Sequence, residues 1–280
     1  MIDDILMARK VFAELAALDE TVFPLDRAAL AIGLEEYPQL DIGSYLRKLD
    51  TLAVRTDVLA GNDRSSSNLL ESLNEVLFVQ EALRGIVDDF NDPRNSYLNE
   101  VLDRRQGTPI SLSVIYIEVA RRMNFEVQGV GFPGHFIVKC RSQEREILID
   151  PFHMGRVLSL EDCQEMLDRV YGGSVPVQPA YLKAMEKRAM ATRMLFNLKG
   201  IYYQAEEYNK ALAVVERILM LHPGTLSEIR DRGLLHMQTS LFSQALADLE
   251  YYVKKASSPE DLAYVEAHIK TLRGVVAAAN

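Results

Sequence analysis

Residues Arg104 to His153 read RRQGTPISLSVIYIEVARRMNFEVQGVGFPGHFIVKCRSQEREILIDPFH. This stretch predicts one helix followed by three strands. Gly107 ends what precedes it, Thr108 can cap a helix, and Pro109 suits the first helical position, where its missing N–H costs nothing. From Ile110 to Met123 apolar residues recur at helical spacing, with Leu112, Ile115, Val119 and Met123 on one face. Asn124 can close the helix. Val127–Phe132, Phe136–Cys140 and Ile147–Asp150 are β-type in composition.

A hairpin centred between Ser142 and Gln143 pairs residues whose numbers sum to 285. His135 then opposes Asp150, Ile137 opposes Leu148 and Lys139 opposes Glu146, while Phe136 meets Ile149 and Val138 meets Ile147. One face is apolar; the other carries a charge pair and a His–Asp pair, a pattern that a slip of one residue destroys. Opposed residues lie about 4.5–5.5 Å apart, so His135 and Asp150 come within hydrogen-bond reach. A carboxylate that orients an imidazole is two-thirds of a nucleophilic triad.

Helix, strand, His-bearing strand and a strand ending in Asp-Pro is the order of the transglutaminase-like core, shared with papain-type proteases. NSYLNEVLDRRQGTPISLSVIYIEVARR, GFPGHF and LIDPFH resemble the bacterial SirB-type proteins, which join a transglutaminase-like domain to tetratricopeptide repeats. The resemblance implies catalytic roles for His135 and Asp150. It also places Pro109 where active members carry a nucleophilic Cys in a Gly-x-Cys triplet, here Gly107-Thr108-Pro109. Ser111, half a turn on, is the substitute candidate, because backbone N–H groups of a first helical turn favour an oxyanion. Against that stands the ordinary use of such a serine as a helix cap.

The whole chain bounds these readings. At 280 residues it has room for one large or two moderate domains. A net charge of −9 argues against a nucleic-acid surface, which needs a basic excess. Cys140 and Cys163 have neither metal spacing nor a disulfide framework, and such free thiols suit a cytoplasmic location. No signal peptide is expected, since Asp3 and Asp4 occupy the place of a basic n-region. No membrane span is expected, because the longest apolar run, Ala28–Leu34, is too short. His153 follows Asp150 closely enough to raise the question of a metal, but zinc sites more often use Cys or regularly spaced His. No metal and no cofactor are expected.

Before the central stretch, residues 4–18, 25–36, 41–60 and 68–83 read as helices, and Asn95–Arg105 as a short one. Asn95, Asn99, Asp103 and Arg104 are candidates to brace the start of the central helix. Leu160–Tyr171 is a further helix, and Gly172–Pro179 a linker. The C-terminal third repeats with a period of 34, relating Tyr208 to Phe242, Ala211 to Ala245 and Val215 to Leu249. That is the tetratricopeptide length. A helix Tyr181–Leu198 should open this array and a helix Pro259–Arg273 should cap it.

The fold class expected is an α+β domain, 1–178, with helical lead-in and a transglutaminase-like core over about 92–175. An all-α repeat module follows over 179–280. The first helix of each repeat should present Arg193, Phe196, Tyr203 and Gln204, then Arg230, Leu234, Met237 and Gln238, to a protein or peptide partner. Two function classes follow. One is a non-catalytic interaction protein on a degenerate core. The alternative is a hydrolase or acyltransferase using Ser111, His135 and Asp150.

Overall fold

The computed structural model describes residues 2–142, 145–256 and 261–279. Its helices are α1 (Ile2–Ala16), α2 (Leu25–Ala31), α3 (Ile42–Ala60), α4 (Ser66–Asn74), α5 (Leu98–Arg104), α6 (Pro109–Arg122), α7 (Leu160–Tyr171), α8 (Lys187–Gln204), α9 (Tyr208–Leu221), α10 (Leu226–Gln238), α11 (Phe242–Lys255) and α12 (Leu262–Ala279). Its strands are β1 (Arg84–Gly85), β2 (Gln106–Gly107), β3 (Val127–Val130), β4 (Ile137–Ser142), β5 (Arg145–Asp150) and β6 (Arg156–Leu158). An α+β domain precedes an all-α repeat region, as the sequence predicts. The chain divides into two compact units, Met1–Met194 and Leu195–Asn280, and the division falls within α8.

The centre of the first unit is α6. Thr108 caps it and Pro109 opens it, and Arg121 and Arg122 in its last turn complement the negative end of the helix. It closes as expected: Asn124 adopts a φ of 55°, and the Phe125 N–H reaches back to Ala120 O at 3.0 Å. The sequence gives α6 one apolar face, yet every residue from Ile110 to Ala120 is buried. The reason is tertiary: α2, α3, α4 and α5 surround it together with β3, β4 and the Pro151–His153 turn. Its one buried acid, Glu118, is answered by Arg121 at 2.7 Å and Arg122 at 2.9 Å. Burial still pushes its carboxyl up, helped by Asp26.

The main sheet is antiparallel in the order β3-β4-β5-β6, and β1 pairs with β2 in a separate parallel ribbon. One face of the main sheet builds a core of Val130, Ile137 and Leu148 with Cys163 and Leu167 of α7. On the other, Phe136, Val138 and Ile149 are buried. The β4–β5 register differs from expectation. Val138 pairs with Ile149, Lys139 with Leu148 and Ser142 with Arg145, so the pairs sum to 287 rather than 285. A shift of two residues leaves every side chain on its face, and so face patterning cannot separate the two registers. The expected Lys139–Glu146 ion pair survives as a diagonal contact of 2.8 Å. Gln143, within the expected turn, lies outside the described residues.

Two other elements shift. The expected helix 68–83 is α4 followed by a π-turn, Glu75–Gln80, with Ala82 at a φ of 54°. The helix expected from Tyr181 begins only at Lys187, because the chain before it is held extended against β3. Ala184 bridges Val130, and the Met185 N–H donates to Gly129 O at 2.8 Å. The Lys187 N–H then donates to the Glu20 carboxylate at 2.6 Å.

In the second unit the period of 34 is directly visible. Tyr208 opens α9 and Phe242 opens α11, and Ala211, Ala245, Val215 and Leu249 are all buried without residual exposure. α12 covers the apolar face of α11, with Val265, Ile269 and Leu272 packed on Ala245, Leu249 and Tyr252. Pro259, the expected start of this helix, lies outside the described residues.

Arg232 breaks the apolar repeat pattern where Leu198 stands 34 residues earlier. Its guanidinium grips Asp248 through two bonds of 2.8 and 2.6 Å, and His236 Nδ1 lies 3.2 Å from the same carboxylate. Burial works to raise the Asp248 carboxyl, but His236 and Arg232 outweigh it and hold it below the usual carboxylate range. A depressed folded pKa contributes stability above the unfolded value of about 3.9 and loses it as pH falls through the folded value. Melting temperature followed from about pH 5 down to pH 2 should therefore fall less steeply in Asp248→Asn than in the native chain.

Candidate functional site

The site is built from the end of β5. Asp150 is buried, and Pro151 after it opens a short 3-10 turn, Pro151–His153. Asp150 caps that turn: its Oδ1 accepts from the Phe152 N–H at 3.0 Å and the His153 N–H at 3.4 Å. This fixes the carboxylate plane and aims Oδ2 at two imidazoles. His135 Nε2 lies 2.9 Å from it and His153 Nδ1 lies 2.6 Å from it. Burial pushes the Asp150 carboxyl up, but the bonds from His135 and His153 prevail and keep it below its ordinary value.

His135 precedes β4, in a turn closed by its N–H on Phe132 O at 3.0 Å. It reaches Asp150 diagonally, not across a directly opposed pair, because of the two-residue register shift. Its ring is mostly covered, with the Phe152 ring edge-on at 5.7 Å. His153 is the open side of the cluster, its side chain 59% exposed. The expectation that His135 and Asp150 meet thus holds by a route the sequence did not give. His153 joins them on the same oxygen.

The structure places Ser111 in a cap. Its N–H approaches Thr108 Oγ1 at 3.4 Å, and its Oγ accepts from the Thr108 N–H at 2.9 Å. The same Oγ donates to Asn95 O at 3.0 Å. It is fully buried. Gly107 is required by this packing, since a Cβ there would stand 2.6 Å from Ser111 Oγ and 2.8 Å from Val101. Asn95 is the brace the sequence suggested: its carbonyl also accepts from the Thr108 N–H at 3.2 Å, and its side chain is held by Arg104 at 3.3 Å. Asp103 instead holds Lys48 and Tyr45.

Cys140 and Cys163 are buried, and burial pushes both thiols up, Cys140 to about 11. A thiol at that pKa is almost wholly protonated near neutrality and is a poor nucleophile. Pro109 itself is half-buried at the first helical position. Pro109→Cys should fold, and its thiol should titrate clearly below the free value of about 8.5, since it stands at a helix N-terminus. Iodoacetamide reactivity against pH reads this, and His135→Ala added to Pro109→Cys should raise the midpoint again. A midpoint near ~8.5 in both would show that Pro109 does not align with a nucleophile position.

The residues expected on the repeat surface separate into two sets. Phe196, Tyr203, Gln204 and Gln238 are exposed. Arg193 is half-buried, and burial lowers its pKa. Arg230 is committed to Asp231 at 2.7 Å and Asp261 at 2.6 Å. Leu234 and Met237 pack against the core of α11 and α12. Tyr208 stands edge-on to Tyr203 with ring centroids 6.1 Å apart, a contact that periodicity does not reveal. Tyr264 of α12, also exposed, is near enough to raise the Tyr203 hydroxyl pKa, after burial and Asp231.

Comparison with known proteins gives two matches in series. A transglutaminase-like superfamily profile covers residues 43–196, and a tetratricopeptide-repeat profile covers 198–270. A UPF0162 protein of Xylella fastidiosa strain Temecula1 is 35% identical over 97% of this chain and 97% of its own length. The UPF0162 protein PA3419 of Pseudomonas aeruginosa is 33% identical over 85% of this chain and 86% of its own length. Protein SirB1 of Salmonella typhimurium is 29% identical over 75% of this chain and 83% of its own length. Among solved structures, menin matches with a TM-score of 0.38 at 10% identity, over 94% of this chain and 73% of menin, a level that carries no structural argument. No helix among the described residues is long and apolar enough to cross a membrane.

Proposed function

This chain belongs to the UPF0162 family and joins a transglutaminase-like domain to tetratricopeptide repeats, and from that premise we propose that it is a non-catalytic protein-interaction protein, with the repeat unit as its partner-binding surface. The observation that carries the proposal is the state of Ser111. A serine nucleophile must give its proton to a base within hydrogen-bond reach. The Ser111 hydroxyl is buried and gives its proton to Asn95 O, inside a cap that α6 needs in order to start. The resemblance that aligns Pro109 with the family's Cys, and the burial of both thiols, support the same reading of the His135–Asp150 pair.

Tetratricopeptide repeats as a class mediate protein–protein interaction, which supports a partner of protein or peptide nature. Within the expected surface the exposed aromatics Phe196 and Tyr203 are the anchors, since aromatic side chains dominate interface hot spots. Arg230 serves the fold of the unit through its bonds to Asp231 and Asp261. The test is affinity capture from native lysate with the full chain, comparing the native sequence with Tyr203→Ala and Phe196→Ala at matched melting temperature. A protein recovered by the native chain and lost with either variant supports the proposal. Unchanged recovery with both, or an ester- or amide-hydrolysing activity abolished by His135→Ala, overturns it.

A further inference from the structure

A third residue, His153, meets the carboxylate oxygen that His135 approaches. His135 Nε2, an Asp150 carboxylate oxygen and His153 Nδ1 all lie within 4.8 Å of one another. We propose that these three residues form a binding site for a divalent transition-metal ion of the zinc class.

The geometry is that of a site slightly contracted by hydrogen bonding. Zinc holds imidazole nitrogen and carboxylate oxygen at about 2.0–2.2 Å, which in a tetrahedral arrangement sets ligand atoms about 3.4 Å apart. The two nitrogens stand 2.9 and 2.6 Å from the shared oxygen. An outward movement of less than about 1 Å by each ring opens the space for the ion. His153 can make that movement because it lies on the exposed side of the cluster. Asp150 need not move. Its Oδ1 is anchored by the Phe152 and His153 N–H groups, the outer-shell support that orients a ligating carboxylate.

The donor set selects the class of ion. Two imidazoles with one carboxylate suit zinc and its transition-metal neighbours, whereas magnesium and calcium take mostly oxygen ligands. The buried carboxylate brings a negative charge to the ligand set, and each imidazole must present an unprotonated nitrogen to the ion. Three protein ligands leave a fourth position for water, on the side where His153 meets solvent. The second imidazole sets this arrangement apart from a triad remnant. A triad carboxylate orients one histidine, whereas here the two histidines share one oxygen.

The test uses the full chain without a polyhistidine tag, freed of metal with a chelator and dialysed. Zinc chloride is titrated calorimetrically in a non-coordinating buffer, magnesium chloride is titrated in parallel, and cobalt(II) is added as a visible-absorption probe. The expected result is one zinc ion per chain, no magnesium binding, and cobalt bands of a low-coordinate site. His153→Ala, at an exposed position, should leave the metal-free chain folded, with circular dichroism as the check, and should weaken zinc by roughly 100-fold or more. His135→Ala should do the same. Absence of stoichiometric zinc binding overturns the proposal. So does binding that survives undiminished in both variants, which would place the ion elsewhere.

Discussion

Asp150→Ala should destabilise the first unit by about 3–5 kcal/mol, far more than an ordinary substitution. Asp150 is 1% exposed and receives four polar contacts: two backbone N–H groups of the turn it caps and two imidazoles. Truncation leaves those donors without their acceptor in a site that the Phe152 ring helps to cover, and each unsatisfied buried group costs about 1–3 kcal/mol. The turn itself loses its cap. Asp150→Asn keeps one carbonyl oxygen for the backbone donors and places an amide opposite the imidazoles, so its cost should be smaller, about 1–2 kcal/mol. Urea denaturation of the full chain, followed by a first-unit probe, measures both. A cost below about 1 kcal/mol for the alanine variant would mean that the cluster is ornamental to the fold.

Gly155→Ala should be the second severe change, at about 3 kcal/mol or more. Gly155 has a φ of 73°, and an added Cβ would stand 2.0 Å from Asn74 Oδ1. Asn74 cannot simply swing away. Its amide donates to Gly155 O at 3.1 Å, and its Oδ1 accepts from the hydroxyl of Tyr116, a fully buried side chain of α6. Displacing it orphans that hydroxyl, at about 1–3 kcal/mol, on top of about 1–2 kcal/mol for a left-handed alanine. Gly172 is the control. Its φ is 67°, but nothing lies within 4 Å of the added Cβ, so Gly172→Ala should show the backbone strain alone. Thermal melts of the two variants should separate clearly. Equal losses would mean that the Asn74–Tyr116 link contributes nothing.

These two positions mark what the sequence could and could not disclose. The central helix was legible because its signals are local: Thr108, Pro109 and Asn124 act within a turn of their own positions. The repeat phase was legible because a fixed period of 34 leaves Tyr208 and Phe242 in equivalent places. The His135–Asp150 contact was legible only as a pairing of faces, since registers two residues apart present the same alternation. The Asn74–Gly155–Tyr116 link was out of reach. It joins three segments separated by 42 and 81 positions, and no local rule connects them. The repeat surface was legible only in its phase, for a similar reason. Periodicity put Arg230, Leu234 and Met237 on the first helix of the second repeat, but did not disclose their contacts with Asp261 and the core of α11 and α12.

We propose that Ser111 completes the cap of α6 and is not a nucleophile. This is tested most directly by incubating the native full-length chain with a fluorophosphonate and reading the intact mass, followed by peptide mapping. No adduct is expected at Ser111 under conditions that label a serine hydrolase control to completion. A stoichiometric adduct on Ser111, abolished by His135→Ala while the melting temperature holds, would contradict it.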